Sequence, residues 1–151
     1  MAVALATAII GKEYPPFAFT VERGKIKEFA RAIGDLNPFY LDDEAGRASP
    51  WGDIIAPPTF PIIFRSEAAD STAVLRDLGV DIGRVLHGEQ EFEQVRPITP
   101  GETLLCRTRV VDVYEKPGRS GPLGFVVREM NVTDRDNEIV ATMRQVTVVR
   151  L

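Results

Sequence analysis

The sequence predicts an α+β fold in which a long, curved antiparallel sheet wraps around one central helix. Two observations carry this expectation. The C-terminal half holds four runs dominated by Val, Thr, Phe and Arg, at Val85–Val95, Thr103–Glu115, Leu123–Arg135 and Glu138–Arg150, the composition of strands. Runs of about a dozen residues are roughly twice the usual strand length, so the sheet must be long and strongly twisted. Ahead of them, Thr59-Phe60-Pro61-Ile62-Ile63-Phe64 begins a segment apolar on most sides, which belongs in a core. That segment is the natural filler for the concave side of the sheet.

Taken in order, the first periodic signal is Ile26, Phe29, Ala30 and Ile33, with Lys25, Lys27, Glu28 and Arg31 on the other face. The spacing predicts an amphipathic helix, with Thr20 as its N-cap and Gly34 as its stop. The chain then enters Gly34-Asp35-Leu36-Asn37-Pro38-Phe39-Tyr40, a fixed loop in which Pro38 holds Asn37 extended. Asp42-Asp43-Glu44-Ala45 reads as a short acidic helical turn, and Ser49-Pro50-Trp51-Gly52 as a tight connection. Pro57 and Pro58 exclude helix before Thr59, which is placed to cap the central helix. Ser71–Leu78 offers a shorter helix ending at Gly79. Asp136-Asn137 between the last two runs is a two-residue hairpin signal.

A chain of 151 residues is expected to form one domain spanning residues 1–151. Apolar residues make up 44% and charged residues 26%, which excludes a disordered or fibrous chain. The net charge of −4 is the wrong sign for a domain that binds phosphate backbones, so nucleic acid is not expected as a partner. Cys106 is the only cysteine and His87 the only histidine. No internal disulfide can form, a structural zinc site is out of reach, and a reducing cytoplasm fits best. The run Met1–Ile10 lacks the basic start of a signal peptide, and no segment reaches the ~20 apolar residues of an integral membrane helix.

The segment Ile33-Gly34-Asp35-Leu36-Asn37-Pro38-Phe39-Tyr40 resembles the Asp-x-Asn-Pro-x-His motif of MaoC-like (R)-specific enoyl-thioester hydratases. The likeness continues through Ala56–Phe60, Leu86–Phe92, Arg96-Pro97 with Gly101-Glu102, and the terminal strands, so the whole chain is similar to a MaoC-like, or FAS1-like dehydratase, N-terminal domain. The resemblance implies the hotdog fold and a tunnel that holds the acyl chain of a coenzyme A or acyl-carrier-protein thioester, with no cofactor. It also implies that an aspartate and a histidine work on water or on the hydroxyl of a 3-hydroxyacyl thioester, the acid–base pair such chemistry requires.

This chain keeps Asp35, Asn37 and Pro38 of the motif but carries Tyr40 at the histidine position. A phenol, with a reference pKa near ~10, is a poor replacement for imidazole. Pro57 is a second departure. The resemblance implies that a backbone amide near the start of the central helix holds the thioester carbonyl, and proline has none. The amides of Thr59 or Phe60 are then the candidates for that role. In this the chain resembles the non-catalytic subunits of heterodimeric (3R)-hydroxyacyl-carrier-protein dehydratases, whose partner supplies the dyad.

Three functions follow as expectations. The first is an acyl-chain-binding subunit with little activity alone, paired with a His-bearing MaoC-like subunit. The second is a homodimeric hydratase or thioesterase using Asp35 with Tyr40 or His87. The third is a non-enzymatic acyl-thioester-binding protein. His87 begins a strand on the same alternating face as Glu89 and Glu91, where it serves as a displaced base or, more simply, as a structural side chain. Arg107 and Arg109 share a strand face suited to coenzyme phosphates or simply to solvent, and Cys106 faces the core. A lone curved sheet leaves its edges bare, so in the absence of a partner a two-fold homodimer is expected, with Phe92 or its strand neighbours near the junction.

Overall fold

Alternating burial along the C-terminal runs builds a five-stranded antiparallel sheet in the order β1-β3-β4-β5-β2. The computed structural model describes Leu5 and residues 7–151; half of the Met1–Ile10 run read above for a leader lies outside the described residues. The strands are β1 (Phe17–Thr20), β2 (Val85–Gln94), β3 (Thr103–Gly118), β4 (Gly121–Thr133) and β5 (Ile139–Arg150). The four long strands match the sequence expectation, and β3 and β4 run on into a tight hairpin at Gly118↔Gly121. Bulges interrupt the ladders between Val110 and Asp112, between His87 and Glu89, and between Val132 and Thr133. Each extra residue adds twist, which curls the sheet into a trough.

β1 was not legible as a strand. Its four residues follow Pro15-Pro16, which cannot donate to a ladder, and pair on the edge of β3 with Phe17 opposite Cys106. This pairing also displaces the predicted helix cap. Thr20 is held opposite Thr103 and the Val21 N–H donates to Glu102 O (2.8 Å), so the chain stays extended until Glu22. Helix α1 (Arg23–Ala32) therefore starts from Glu22, without a side-chain cap, and buries Ile26 and Ala30. At its C-terminus Gly34 adopts φ +74°, and the Asp35 and Gly34 N–H groups donate to Ala30 O (3.0 Å) and Arg31 O (3.1 Å). This left-handed glycine closure delivers Asp35 directly off the helix end.

The segment expected as a fixed loop contains one helical turn, α2 (Pro38–Leu41), followed by α3 (Asp43–Ala48). Asp42 Oδ1 accepts from the Glu44 and Ala45 N–H groups (2.8 and 2.9 Å), a side-chain N-cap. Arg23 makes a two-pronged bond to Asp53 (2.7 and 2.8 Å) and reaches Asp43, which Lys27 also holds, tying α1 to α3. Gly46 lies so close to the next segment that a Cβ there would stand 2.4 Å from the Ile54 nitrogen.

The central element is the largest correction to the sequence reading. Instead of a long helix, the trough holds an eight-residue 3₁₀ helix, Phe60–Glu67. Thr59 precedes it but its side chain makes no capping bond, and after Phe64 the sequence turns to Arg65-Ser66-Glu67, with no apolar face left to bury. Phe60 and Phe64 are fully buried. They form an aromatic knot with Phe19 and Phe29, with centroid separations from 4.2 to 6.1 Å. The helix expected over Ser71–Leu78 is present as α4 (Ala73–Asp77), ending at Gly79 with φ +66°.

The β4–β5 connection also departs from the two-residue reading. The Asp134 N–H donates to Glu138 O and the Asn137 N–H to Asp134 O (3.0 Å each), enclosing Arg135-Asp136-Asn137 with Asn137 left-handed at φ 64°. Asp134 Oδ1 captures the Asp136 and Glu138 N–H groups, which favours the longer loop. No helix among the described residues is long and apolar enough to cross a membrane.

Candidate functional site

The Asp35–Tyr40 loop is built by two local devices. The Asn37 N–H donates to Asp35 Oδ1 (3.2 Å), and the Phe39 N–H donates to Asn37 Oδ1 (3.0 Å). Asn37 is extended and Pro38 opens the helical turn, the geometry that the proline imposes. The Ile55 N–H donates to Phe39 O (2.9 Å), and the Ala56 N–H to Ile98 O (2.8 Å). These bonds lay residues 55–57 beside the loop. The structure thus brings Asp35, Asn37, Pro38 and Tyr40 to the same end of the molecule as Pro57, Thr59 and Phe60.

The chemistry available there is that of a carboxylate and a neutral phenol. Asp35 is exposed, and Tyr40 is 91% buried. Burial, and after it the negative charge of Asp35, raises the Tyr40 pKa above the ordinary phenol value. The hydroxyl stays protonated at neutral pH and can donate a proton or a hydrogen bond, but cannot act as a base. At the start of the central helix, the Phe60 N–H is already spent on Pro57 O (2.9 Å), and Pro57 has none to offer. Thr59 is exposed, and among the described residues its N–H has no acceptor.

His87 is not part of this cluster. It lies on the edge strand β2 opposite Thr147 of β5, and its side chain forms no hydrogen bond or ion pair among the described residues. The bulge at Gly88 sets His87 opposite Thr147 but Glu89 opposite Val146, consecutive residues of β5. His87 therefore lies on the opposite face from Glu89 and Glu91, contrary to the simple alternation, because a bulge breaks the two-residue period. Arg109 is taken up by Glu129 (2.8 Å), and Arg107 by Thr133 and Asn137. Cys106 is fully buried, and burial pushes its thiol up to about 12, so it is inert at neutral pH. Among the described residues no cluster of metal-ligating side chains occurs.

A cavity of about 350 Å³ opens at the other end of the central helix, and none of the motif residues lines it. Its charged lining includes Arg65 and Arg128, neither singled out by sequence reasoning, together with Glu13, Glu67, Asp70 and Asp77. A signal existed: in Val126-Val127-Arg128-Glu129-Met130 the alternation places Arg128 on the core-facing register with Val126 and Met130. A charge in that register is out of place unless it has a partner.

A family model described as "FAS1-like, dehydratase domain region" matches residues 8–143. The chain belongs to that dehydratase family. It is 39% identical over 147 residues, 97% of the chain and 92% of its relative, to a UPF0336 protein of Saccharopolyspora erythraea. Among solved structures it is similar to the C-terminally truncated HadBC (3R-hydroxyacyl-ACP dehydratase) complex of Mycobacterium tuberculosis, with 27% identity, a TM-score of 0.77, and coverage of 93% of this chain and 96% of the HadBC chain. It is also similar to a MaoC-like dehydratase at 26% identity and a TM-score of 0.82, covering 94% of this chain but 42% of the other. The five-stranded antiparallel sheet wrapped on a central helix is the hotdog fold of these dehydratases, although the helix of this FAS1-like dehydratase-family chain is short.

Proposed function

We propose that this chain is the acyl-chain-binding, non-catalytic subunit of a (3R)-hydroxyacyl-thioester dehydratase, equally an (R)-enoyl-thioester hydratase, and that its partner is a MaoC-like subunit bearing the missing histidine. The observation that carries the reading is the phenol of Tyr40 standing where the family's motif has imidazole. Dehydration breaks a Cα–H bond and the Cβ–O bond of the 3-hydroxyacyl thioester, and the proton taken from Cα and the departing hydroxyl leave as water. A base must accept the Cα proton and an acid must protonate the hydroxyl. Asp35 and a protonated Tyr40 offer at most one carboxylate and one weak acid, and the pKa of Tyr40 moves away from the operating range. His87 lies elsewhere.

The surroundings of the loop support a covering partner. Ile33, Leu36, Phe39 and Trp51 are all exposed around it, and Phe39 and Trp51 pack edge to face with ring centroids 5.6 Å apart. An apolar rim on an exposed motif is what a subunit junction presents. HadBC is a complex of two chains, and the matched MaoC-like dehydratase is more than twice the matched length; in both there is room for a second hotdog. Without such a partner, two copies of this chain close into a dimer through the β2 edge near Phe92.

The test uses purified chain with crotonyl-coenzyme A and longer enoyl thioesters, alone and mixed with a MaoC-like subunit carrying the intact motif. Turnover that requires the mixture is the expected result. Robust turnover by the isolated chain would overturn the subunit assignment. Sedimentation of the isolated chain checks the assembly, where a persistent mass of 16.7 kDa would remove the dimer.

A further inference from the structure

The concave face of the sheet is apolar at both ends and charged in the middle. Around the central helix the buried side chains are Cys106, Met130, Val132, Ala141 and Met143; beyond it, Val110, Val113, Val126 and Val149 pack against Val74 and Leu78. Between these clusters runs a row of cross-strand neighbours, Arg128 on β4, Gln145 on β5 and Gln90 on β2. Arg128 is 91% buried. Its Nη2 donates to Gln145 Oε1 and to Thr147 Oγ1 (3.2 Å), and its Nε is buried without any partner. From the central helix above, Arg65 Nη1 donates to the same Gln145 Oε1 (2.7 Å).

Two guanidinium groups therefore converge on one neutral amide oxygen. Among the described residues neither forms an ion pair, although four carboxylates, Glu13, Glu67, Asp70 and Asp77, also line the cavity; Glu13 and Glu67 pair with no cation, and the other two are engaged elsewhere. Asp77 is held by Lys12 and by the Tyr14 hydroxyl (2.8 Å), and Asp70 by Arg76. Burial first and the Arg65 charge second push the Arg128 pKa down to about 10, which leaves it charged at neutral pH. Holding two like charges together in a low-dielectric setting opposes folding, so the arrangement is not explained by stability. Both arginines line the cavity of about 350 Å³. The walls above them include Pro15, Pro16, Phe17, Ala68 and Val74, which are apolar.

We infer that this cavity is a binding site for an aliphatic carboxylate, with the carboxylate on Arg128 and Arg65 and the alkyl stem against the apolar walls. A planar carboxylate accepts from a guanidinium edge in two places, would satisfy the free Nε of Arg128, and supplies the negative charge that the pair lacks. The site goes beyond the dehydratase reading and stands without it, because binding is read directly with no turnover. The carboxylate comes either from a free acid or from the far end of a dicarboxylic acyl thioester.

Calorimetric titration with octanoate, and with octanol as the uncharged analogue, tests the inference. Saturable binding of one octanoate per chain is expected, with octanol at least tenfold weaker. Arg128→Met and, separately, Arg65→Met should each weaken octanoate at least tenfold while leaving octanol unchanged or tighter, with the unfolding midpoint of each variant confirming that it folds. Octanol binding as well as octanoate, or octanoate affinity unmoved in both variants, would overturn the site. Inorganic phosphate binding where octanoate does not would overturn the carboxylate assignment. Tighter binding of the mono-coenzyme A thioester of octanedioic acid than of octanoate assigns the carboxylate to an acyl thioester, and weaker binding assigns it to a free acid.

Discussion

The two ends of the central 3₁₀ helix are opposites in how they treat charge. At its start, the motif loop is exposed except for Tyr40 and the charges of the neighbouring segments are matched: Arg23 holds Asp53 and Asp43, Lys27 holds Asp43, and Asp35 of the loop accepts from the Asn37 N–H. At its finish, Arg65 and Arg128 are withdrawn from water and share a neutral amide. The first arrangement is the ordinary way to decorate a surface and contributes little to stability. The second opposes stability and implies a use. The family motif thus marks the end with the weaker structural anomaly, and the end with the stronger anomaly carries no motif.

The largest effect should come from the side chain that joins the two ends. Phe64 is fully buried and stacked on Phe19 at 4.2 Å, one residue before Arg65. Phe64→Ala should cost about 3–5 kcal/mol in urea unfolding, through lost burial and the cavity left behind. It should weaken octanoate binding as well. A loss under ~1 kcal/mol would show that the helix does not anchor the trough, and the contrast between its ends would lose its structural basis.

Next in size is a change confined to the motif end. Tyr40→His restores the imidazole beside Asp35 and should raise enoyl-thioester hydration by the isolated chain about 100-fold over its background, the lower range for a placed acid–base group. Unchanged turnover would mean that the lack of an amide donor at Pro57, rather than Tyr40, disables this end.

The smallest effect separates the two kinds of arginine. Hydrogen bonding from Lys27 first, and then from Arg23, lowers the Asp43 pKa; that of Asp53 is lowered chiefly by Arg23. A carboxylate whose folded pKa lies below its unfolded value stabilises the fold above the unfolded value and loses that contribution as pH falls through the folded one. The stabilisation from these pairs is therefore present at neutral pH and lost below about pH 4. Arg23→Met should be slightly less stable than the unmodified chain at pH 7, with the difference vanishing at pH 2–3 as read by the urea midpoint, on the order of the exposed-pair range. A difference that persists in acid would assign the role of Arg23 to packing rather than charge.

Much of the fold was legible because it rests on local periodicity. The Val-, Thr- and Phe-rich composition of the runs found the four long strands, and the spacing of Ile26, Phe29, Ala30 and Ile33 found α1. Pro38 announced the conformation of Asn37, and the Asp35–Tyr40 segment announced the family. Periodicity failed where a residue's conformation is set by a distant partner. Thr20 looked like a cap but is claimed by Thr103, 83 positions away along the chain, and Asp134 converted a two-residue turn into a longer one by capturing two amides.

By itself, the amino-acid sequence determined the fold class and the family, since strand composition, prolines and a motif are properties of neighbouring residues. Tertiary structure alone decided that the central helix is short, that the Gly88 bulge turns His87 away from Glu89, and that Arg65 meets Arg128. The last of these joins positions 65, 128 and 145 from three elements, Arg65 reaching from the central helix to the row that Arg128 and Gln145 share on the concave face. The consequence of a buried charge depends on what surrounds it in space, and only the curl of the sheet brings those surroundings together.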